Sequence, residues 1–183
     1  FVPGVEPGGD GPMTLRWLGQ EVIGDVQAMI DLGRADTVAQ ARQVFGRWRL
    51  SLWNAVLADT QGHFGYQMCG TPPERPTATR GTRPGGDAQH AWTGYRPTST
   101  LPGEDNPARG WVGSANNPPA PPESMGGLYG TYADGYRHDR IARALGQGAP
   151  LTPAQVGDLQ DDNLSLRAEE LAAPLARLLG GTP

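Results

Sequence analysis

The chain has 183 residues, a formal charge of −4 and a single cysteine, Cys69. The length suits one domain, the mixed acidic and basic residues give no footprint for nucleic acid or an anionic membrane, and one cysteine excludes an internal disulfide and a cysteine zinc cluster. No apolar run reaches the ~18 residues of a membrane-spanning helix. With 27 Gly and 18 Pro, we expect long ordered loops between few regular elements.

Two helices are predicted near the start of the chain. Apolar residues recur at helical spacing in residues 20–33, and Gly33 is a plausible left-handed stop. The predicted buried stripe of this helix is Val22, Val26, Met29 and Ile30. Thr37 and Gln40 have the spacing of a capping box, which predicts a second helix. Its predicted buried face is Val38, Ala41, Val44, Phe45 and Trp48.

Strands are predicted from residue 52 onward, where the apolar period becomes two. A β-hairpin is expected to turn at residues 59–62, whose sequence is DTQG. Its strands are expected to place on shared faces Trp53, Ala55 and Leu57, then Phe64, Tyr66 and Met68. Residues 70–110 are expected to form a long connection anchored by Trp92 and Tyr95. A third strand is predicted over residues 110–116, ended by the prolines that follow.

Helices are predicted again in the last third of the chain. One is expected from about Tyr132 to Leu145, stopping at Gly146. The sequence TPAQ at 152–155 combines an N-cap, a proline at the first helical position and a glutamine at the third. A last helix is expected from residue 164 to Gly180 and Gly181, with a break or kink near Pro174. Its apolar positions are Leu164, Ala168, Leu171, Leu175 and Leu178.

The predicted organisation is a single partial domain of the α+β class over residues 1–183. Residues 1–49 are expected to be a helical lead-in, residues 50–119 strands and a long loop, and residues 120–183 a helical segment.

The residues alone identify no nucleophile and no metal site. There is no G-x-S-x-G motif, no cysteine with an obvious histidine partner, and no Ser, Thr or Cys at position 1. The three histidines lack the spacing of a metal pair, and the acidic residues form no calcium-loop pattern. We therefore predict no cofactor on this chain.

The most informative position is Asn116, in the stretch WVGSANNPP at 111–119. A carboxamide fixed at a strand end can point its N–H donors at one place, as an oxyanion hole requires. The alternative, which spacing alone favours, is that Asn116 or Asn117 only ties down the proline-rich loop. Arg137, Arg140 and Arg143 recur every three residues, which is by itself typical of a solvated helix edge.

Four segments together resemble the penicillin acylase (penicillin amidase) family of N-terminal-nucleophile hydrolases. They are NAVLADTQGHFGYQMCGTPPERP at 54–76, AWTGYRPTSTLPGEDNPARGWVGSANNPP at 91–119, YADGYRHDRIARAL at 132–145 and LTPAQVGDLQDDNLSLRAEEL at 151–171. The resemblance keeps its order and approximate spacing over most of positions 50–179, while residues 1–49 match only loosely.

The resemblance implies part of a four-layer αββα sandwich, with antiparallel strands, flanking helices and long Pro/Gly-rich loops. In this family a precursor cuts itself and exposes a serine, which attacks an amide carbonyl with its own amino group as base. The resemblance further implies that Asn116 helps to hold the oxyanion and that Arg137 orients Asn116. The serine and a second oxyanion donor are expected upstream, so the chain is expected to be an internal fragment of the large subunit and inactive alone.

The resemblance also suggests the partners and the location. The expected substrate is an acylated amine, such as the acyl side chain of a β-lactam, an N-acyl homoserine lactone or an N-acyl amine. The other expected partners are the small subunit and the rest of the large subunit of the same precursor. Calcium in the parent protein and a periplasmic or secreted location are suggested in the same way. A noncatalytic structural or binding domain on this scaffold is the alternative.

Overall fold

The computed structural model describes residues 14–20, 24–50, 52–77, 81–121, 124–126, 128, 130–146, 148 and 150–180. These residues form an α+β structure, as predicted. Its helices are α1 (Asp25–Leu32), α2 (Val38–Phe45), α3 (Tyr136–Leu145), α4 (Pro153–Gln160) and α5 (Leu166–Leu178). Its strands are β1 (Trp53–Ala58), β2 (Phe64–Cys69), β3 (Pro73–Glu74), β4 (Gly94–Tyr95) and β5 (Gly103–Asp105). Among these residues, no helix has the length and apolar character needed to cross a membrane.

Helix α2 forms as the sequence predicts. The hydroxyl of Thr37 accepts a hydrogen bond from the backbone N–H of Gln40 at 3.2 Å, and the Gln40 side chain accepts from the N–H of Asp36. The first bond satisfies an N–H group of the first helical turn. The second binds Asp36, one residue before the N-cap Thr37, so the reciprocal bond of the predicted capping box is shifted by one residue. The five predicted core residues of this segment are all buried: Val38, Ala41, Val44, Phe45 and Trp48.

Helix α1 differs from the prediction in the face that it buries. The predicted stripe residues Val26, Met29 and Ile30 are exposed. The fourth, Val22, lies outside the described residues. The opposite face, with Asp25 and Ala28, packs inward because the Asp25 carboxylate accepts the backbone N–H groups of Arg49 and Leu50. These hydrogen bonds tie α1 to the chain that follows α2.

The predicted left-handed stop at Gly33 is also wrong. Gly33 has φ −64° and ψ −9°, in the right-handed region, and its N–H still bonds to the carbonyl of Met29 at 3.2 Å. The chain therefore leaves α1 by a tightening of its last turn, which any residue can adopt.

The predicted β-hairpin is present. Strands β1 and β2 pair antiparallel, from Trp53 opposite Cys69 to Ala58 opposite Phe64, and Gly62 takes φ +89° in the turn between them. The Asp59 side chain is 3% exposed and accepts hydrogen bonds from the backbone of Val38, Gln61 and His63. Burial favours the neutral acid, but these hydrogen bonds outweigh it and hold the pKa of Asp59 below its usual value. The turn is thereby fixed to the start of α2.

The third strand of the sheet is β5, and the strand predicted over residues 110–116 is wrong. The sheet order is β1-β2-β5, and Gly65 of β2 lies opposite Asp105. Since β5 occupies the free edge of β2, residues 111–114 have no partner strand there and run as irregular chain. Two glycines allow the close pairing: a Cβ on Gly65 would lie 2.6 Å from the Glu104 carbonyl oxygen, and one on Gly103 would lie 2.8 Å from Gln67.

The connection between β2 and β5 is more ordered than predicted, because β3 and β4 pair within it, with Pro73 opposite Tyr95. The predicted anchors do contact each other: the rings of Trp92 and Tyr95 meet edge to face at 6.0 Å. The Arg75 guanidinium lies 5.6 Å from the centre of the Trp92 ring. This aromatic pair lies at the start of β4 and within it, beside the β3–β4 ribbon.

Strand β2 separates two clusters of buried side chains. On one side is a cluster formed by Ala28, Val44, Phe45, Trp48 and Cys69. On the other side is a cluster formed by Tyr66, Met68, Leu101, Met125 and Leu128. The two faces of one strand therefore connect the helical lead-in with the loops that carry the candidate site.

The last three helices agree with the prediction in number and differ in detail. Helix α3 begins four residues later than predicted and ends before Gly146, as predicted. The capping box of α4 is complete, with Thr152 and Gln155 each accepting from the other's backbone N–H. Helix α5 continues through Pro174 without a break, Gly181 lies outside the described residues, and its apolar positions Leu171, Leu175 and Leu178 are exposed.

Candidate functional site

The structure brings the two sequence-predicted site residues into direct contact. The Nη2 atom of Arg137 donates to Oδ1 of Asn116 at 2.9 Å and to the backbone carbonyl of Ala115 at 2.8 Å. Arg137 is the second residue of α3, and the Asn116 loop lies 21 residues earlier in the chain. The N–H of Ala133 also donates to the Asn116 carbonyl at 2.7 Å. This hydrogen bond ties the segment before α3 to the backbone of the Asn116 loop.

Asn116 has a left-handed backbone, with φ +62°. Residues with a Cβ rarely adopt this conformation, and Asn is among the few that tolerate it. Among the described non-glycine residues, only Asn106, with φ +43°, shares a positive φ. The tight turn therefore aims the Asn116 side chain away from the path of the chain and toward Arg137.

Asn117, and not Asn116, ties down the proline-rich loop with its side chain. Its Oδ1 accepts from the N–H of Ala115 at 3.0 Å, and its Nδ2 donates to the carbonyl of Pro118 at 3.0 Å. The neighbouring carboxamides thus have separate contacts, because Asn116 bonds to a guanidinium and Asn117 bonds to the backbone. The loop-tying alternative raised by the sequence fits Asn117.

The contact with Arg137 fixes the orientation of the Asn116 carboxamide. Guanidinium groups only donate hydrogen bonds, so the atom that faces Arg137 has to be the amide oxygen. Nδ2 of Asn116 has no hydrogen-bond partner among the described residues, and the residue is exposed. The amide therefore presents two N–H donors on the side opposite a fixed positive charge, which polarises it in the direction that strengthens those donors.

The three arginines of α3 do not form a uniform solvated edge. Arg140 pairs with Asp162 at 2.6 Å, and Arg143 lies 3.6 Å from Glu169. Arg137 contacts no carboxylate within the described part of the chain, and its hydrogen bonds go to two neutral oxygens of the loop. Its charge is thus left uncompensated beside the Asn116 carboxamide.

Other reactive groups do not converge on Asn116. Burial raises the pKa of Cys69 to about 11, so this thiol is protonated and enclosed in the core. His138 lies beside the ring of Trp111, with ring centres 6.2 Å apart. A cavity of about 60 Å³ near the loop is lined by Asn117 and His138 and not by Asn116. Among the described residues, no group of three or more His, Cys, Asp or Glu side chains is arranged to hold a metal.

Sequence reasoning missed the acceptor at the Ala115 carbonyl and the donor at the Ala133 N–H. Both are backbone groups of alanines, and a backbone contact leaves no side-chain pattern by which it can be found. The one local signal is that asparagine tolerates a left-handed turn better than most residues do.

Residues 3–182 match the family model for penicillin amidase. The chain is 30% identical over 163 residues to the acyl-homoserine lactone acylase QuiP of Pseudomonas aeruginosa, an alignment that covers 88% of the chain and 19% of that protein. It is 28% identical over 145 residues to the penicillin acylase 2 proenzyme of a Pseudomonas species, covering 79% of the chain and 19% of the proenzyme. The chain therefore spans about a fifth of the length of these relatives.

A solved structure shows the same fold over most of the chain. The thermostable penicillin G acylase from Alcaligenes faecalis superimposes with a TM-score of 0.58 at 22% identity, covering 72% of this chain and 24% of that one. The sequence match extends over nearly the whole chain, and the fold agrees with it. The chain belongs to the penicillin amidase family.

Proposed function

We propose that the protein containing this chain is an amide hydrolase of the penicillin acylase type, and that this chain contributes Asn116 to its oxyanion hole. The family membership and the names of the relatives support hydrolysis of a linear amide. The role of Asn116 rests on one observation: Arg137 holds the amide oxygen, and Nδ2 is left as a donor without another partner among the described residues.

The arrangement suits a group that acts in the transition state. When a nucleophile adds to an amide carbonyl, negative charge develops on the carbonyl oxygen, and donors already aimed at that oxygen stabilise it without reorganising. Asn116 meets this condition because its backbone turn and its oxygen are both held before substrate arrives. Arg137 is a positioning residue in this proposal, and its charge strengthens the donor.

The remaining parts of the mechanism belong to polypeptide outside this chain. The proposed reaction uses a serine whose own amino group acts as base, forms an acyl-enzyme and releases it by hydrolysis. We propose that this chain is part of the large subunit, a single partial domain that binds the other precursor segments and does not hydrolyse amides alone. Calcium in the parent protein and a periplasmic or secreted location are further parts of this proposal, supported by the resemblance alone.

The relatives suggest which substrate to test first. The acyl-homoserine lactone acylase covers more of this chain, at higher identity, than the penicillin acylase proenzyme does. An N-acyl homoserine lactone is therefore the first substrate, and a penicillin with an aromatic acyl side chain is the second. In both substrates a secondary amide joins an acyl group to a ring, so the oxyanion donor would stabilise the same kind of carbonyl oxygen.

The test is Asn116→Gly in the full-length protein, with release of free amine as the readout. Glycine adopts positive φ without strain, so this change removes the carboxamide and leaves the backbone turn in place. Loss of one oxyanion donor typically lowers kcat by roughly 100- to 1000-fold. We expect a fall in this range, with KM nearly unchanged, because the donor acts only in the transition state.

Asn106→Gly is the matched control. Asn106 also has a positive φ and accepts a backbone hydrogen bond, from Phe64 at 2.9 Å, but it lies in the turn after β5. We expect this variant to keep wild-type kcat. If Asn116→Gly also keeps it, the oxyanion role is wrong. If the unaltered full-length protein releases no amine from either substrate, the noncatalytic alternative takes the place of the proposal.

A further inference from the structure

A set of polar contacts joins the start of α3 to α5. Arg167 of α5 pairs with Asp134, and its guanidinium lies 5.2 Å from the centre of the Tyr136 ring. The Tyr136 hydroxyl donates a hydrogen bond to Glu170 of α5. We call these four residues, Asp134, Tyr136, Arg167 and Glu170, the clamp. The hydrogen bond to Glu170 raises the pKa of Tyr136 further above the neutral range.

Two further ion pairs extend this contact along α3. Arg140 binds Asp162, which precedes α5, at 2.6 Å, and Arg143 lies 3.6 Å from Glu169. Ion pairs and hydrogen bonds thus join α3 to α5 and to the chain just before it. Directional contacts of this kind fix the rotation and the height of one helix against another.

Two of the clamp residues closely precede Arg137 in the chain. Asp134 and Tyr136 lie three residues and one residue before it, where the backbone turns into the first turn of α3. The Nη2 atom of Arg137 donates to both the Ala115 carbonyl, at 2.8 Å, and Oδ1 of Asn116, at 2.9 Å. A small rotation of the first turn of α3 would therefore lengthen at least one of these hydrogen bonds. Displacements of about 1 Å at an orienting group are enough to lower catalytic rates by roughly 100-fold.

We propose that α5 is a positioning element of the active site: Arg167, through Asp134 and Tyr136, holds the first turn of α3 so that Arg137 stays aimed at Asn116. This inference rests on the proposed function, because it gives Arg167 a role only if Arg137 and Asn116 act in catalysis. Arg167 is 57% exposed and Asp134 44% exposed. Such a surface pair adds little to global stability, so a positioning effect is separable from a folding effect.

The test uses Arg167→Met in the full-length protein, with kcat normalised to the acyl-enzyme burst so that unfolded molecules do not count. Methionine keeps an apolar stem and removes the charge. We expect kcat to fall by roughly 2- to 30-fold, the range for mutations that modulate coupling between two sites, with KM unchanged. Arg167→Lys keeps a positive charge facing Asp134 and should recover part of the loss. Arg177→Met is the matched control, since Arg177 lies in the last turn of the same helix and has no ion pair among the described residues.

A double variant decides whether Arg167 acts through Arg137. If the inference holds, Arg167→Met lowers kcat in the wild-type background and has no further effect in an Arg137→Met background. Equal kcat values for Arg167→Met and Arg177→Met, or the same loss in both backgrounds, would overturn it. If Arg167→Met does not accumulate as folded protein, Tyr136→Phe is measured with the same two outcomes, because it removes only the hydroxyl bound to Glu170. Asn116→Gly is a separate measurement, so failure of this inference leaves the proposed function standing.

Discussion

Replacing Arg137 by methionine tests the link between the loop and its proposed chemistry most directly. The change removes two hydrogen bonds at once, one to the Ala115 carbonyl and one to Oδ1 of Asn116. The backbone of the loop keeps the hydrogen bond from Ala133 and those made by Asn117. We therefore expect the loop to stay folded while the Asn116 carboxamide becomes free to rotate.

The expected loss lies between two limits. A hydrogen bond to a charged group contributes about 1.5–3 kcal/mol. Losing the bond that orients the amide should therefore reduce transition-state stabilisation by at least about 1.5 kcal/mol. Losing the donor altogether typically removes about 2.7–4 kcal/mol from the transition state. Since about 1.36 kcal/mol corresponds to a factor of ten, kcat should fall by between about 10-fold and about 1000-fold.

The assay is steady-state hydrolysis of an N-acyl homoserine lactone by four full-length variants: Arg137→Met, Arg137→Lys, Asn116→Gly, and a double variant that combines Arg137→Met with Asn116→Gly. Lysine keeps the charge but lacks the planar group of guanidinium N–H donors, so we expect only partial recovery. The double variant should be no slower than Asn116→Gly, because Arg137 acts through the carboxamide. Full activity in Arg137→Met, or losses that multiply in the double variant, would refute the reasoning.

Two further predictions concern the scaffold, and both are measured by urea unfolding. Gly65→Ala should lower the free energy of unfolding by about 1–3 kcal/mol, because its Cβ would lie 2.6 Å from the Glu104 carbonyl oxygen. Gly85→Ala is the control, since a Cβ there meets open space, and it should leave the free energy of unfolding unchanged. Equal free energies for the two variants would show that β2 and β5 can move apart enough to accept the methyl group. The folded-state pKa of Asp59 is held below its ordinary value of 3.8, so its stabilising contribution is present above about pH 4 and is lost as the pH falls through the folded value. Asp59→Asn should therefore reduce the difference in stability between pH 6 and pH 3, and an unchanged difference would exclude this carboxylate as the source.

The features that the sequence predicts well depend on contacts within a few residues. The capping box of α4 joins Thr152 to Gln155, and the cap of α2 joins Thr37 to Gln40. The hairpin of β1 and β2 closes through five residues, with a glycine at positive φ. In each case the interacting groups are fixed by spacing alone, so no distant segment can change the outcome.

The errors arise where distant segments compete for one surface. Residues 110–116 have an apolar pattern suited to a strand, but the short, charged β5 occupies the edge of β2. Helix α1 has two usable faces, and the Asp25 carboxylate selects the one that binds the chain after α2. Neither competition leaves a trace in local periodicity, because its result depends on pairing and burial elsewhere in the chain.

The candidate site was predicted by resemblance and could not have been predicted from spacing. Arg137 shares its three-residue spacing with Arg140 and Arg143, and only the fold shows that it faces a loop while the others face carboxylates. The contacts of Asp134 and Tyr136 with α5 are equally invisible in sequence, since exposed charged residues on two helices allow many pairings.

Two independent requirements meet at position 116. The backbone needs a residue that tolerates φ +62°, which favours Gly, Asn and Asp. The proposed chemistry needs a neutral side chain that donates hydrogen bonds on one side and accepts one from Arg137 on the other. Glycine offers no donor, and an aspartate would place a negative charge against the developing oxyanion. Asparagine alone among the three satisfies both requirements. Because other residues anchor the loop, its amide N–H groups remain available for a ligand.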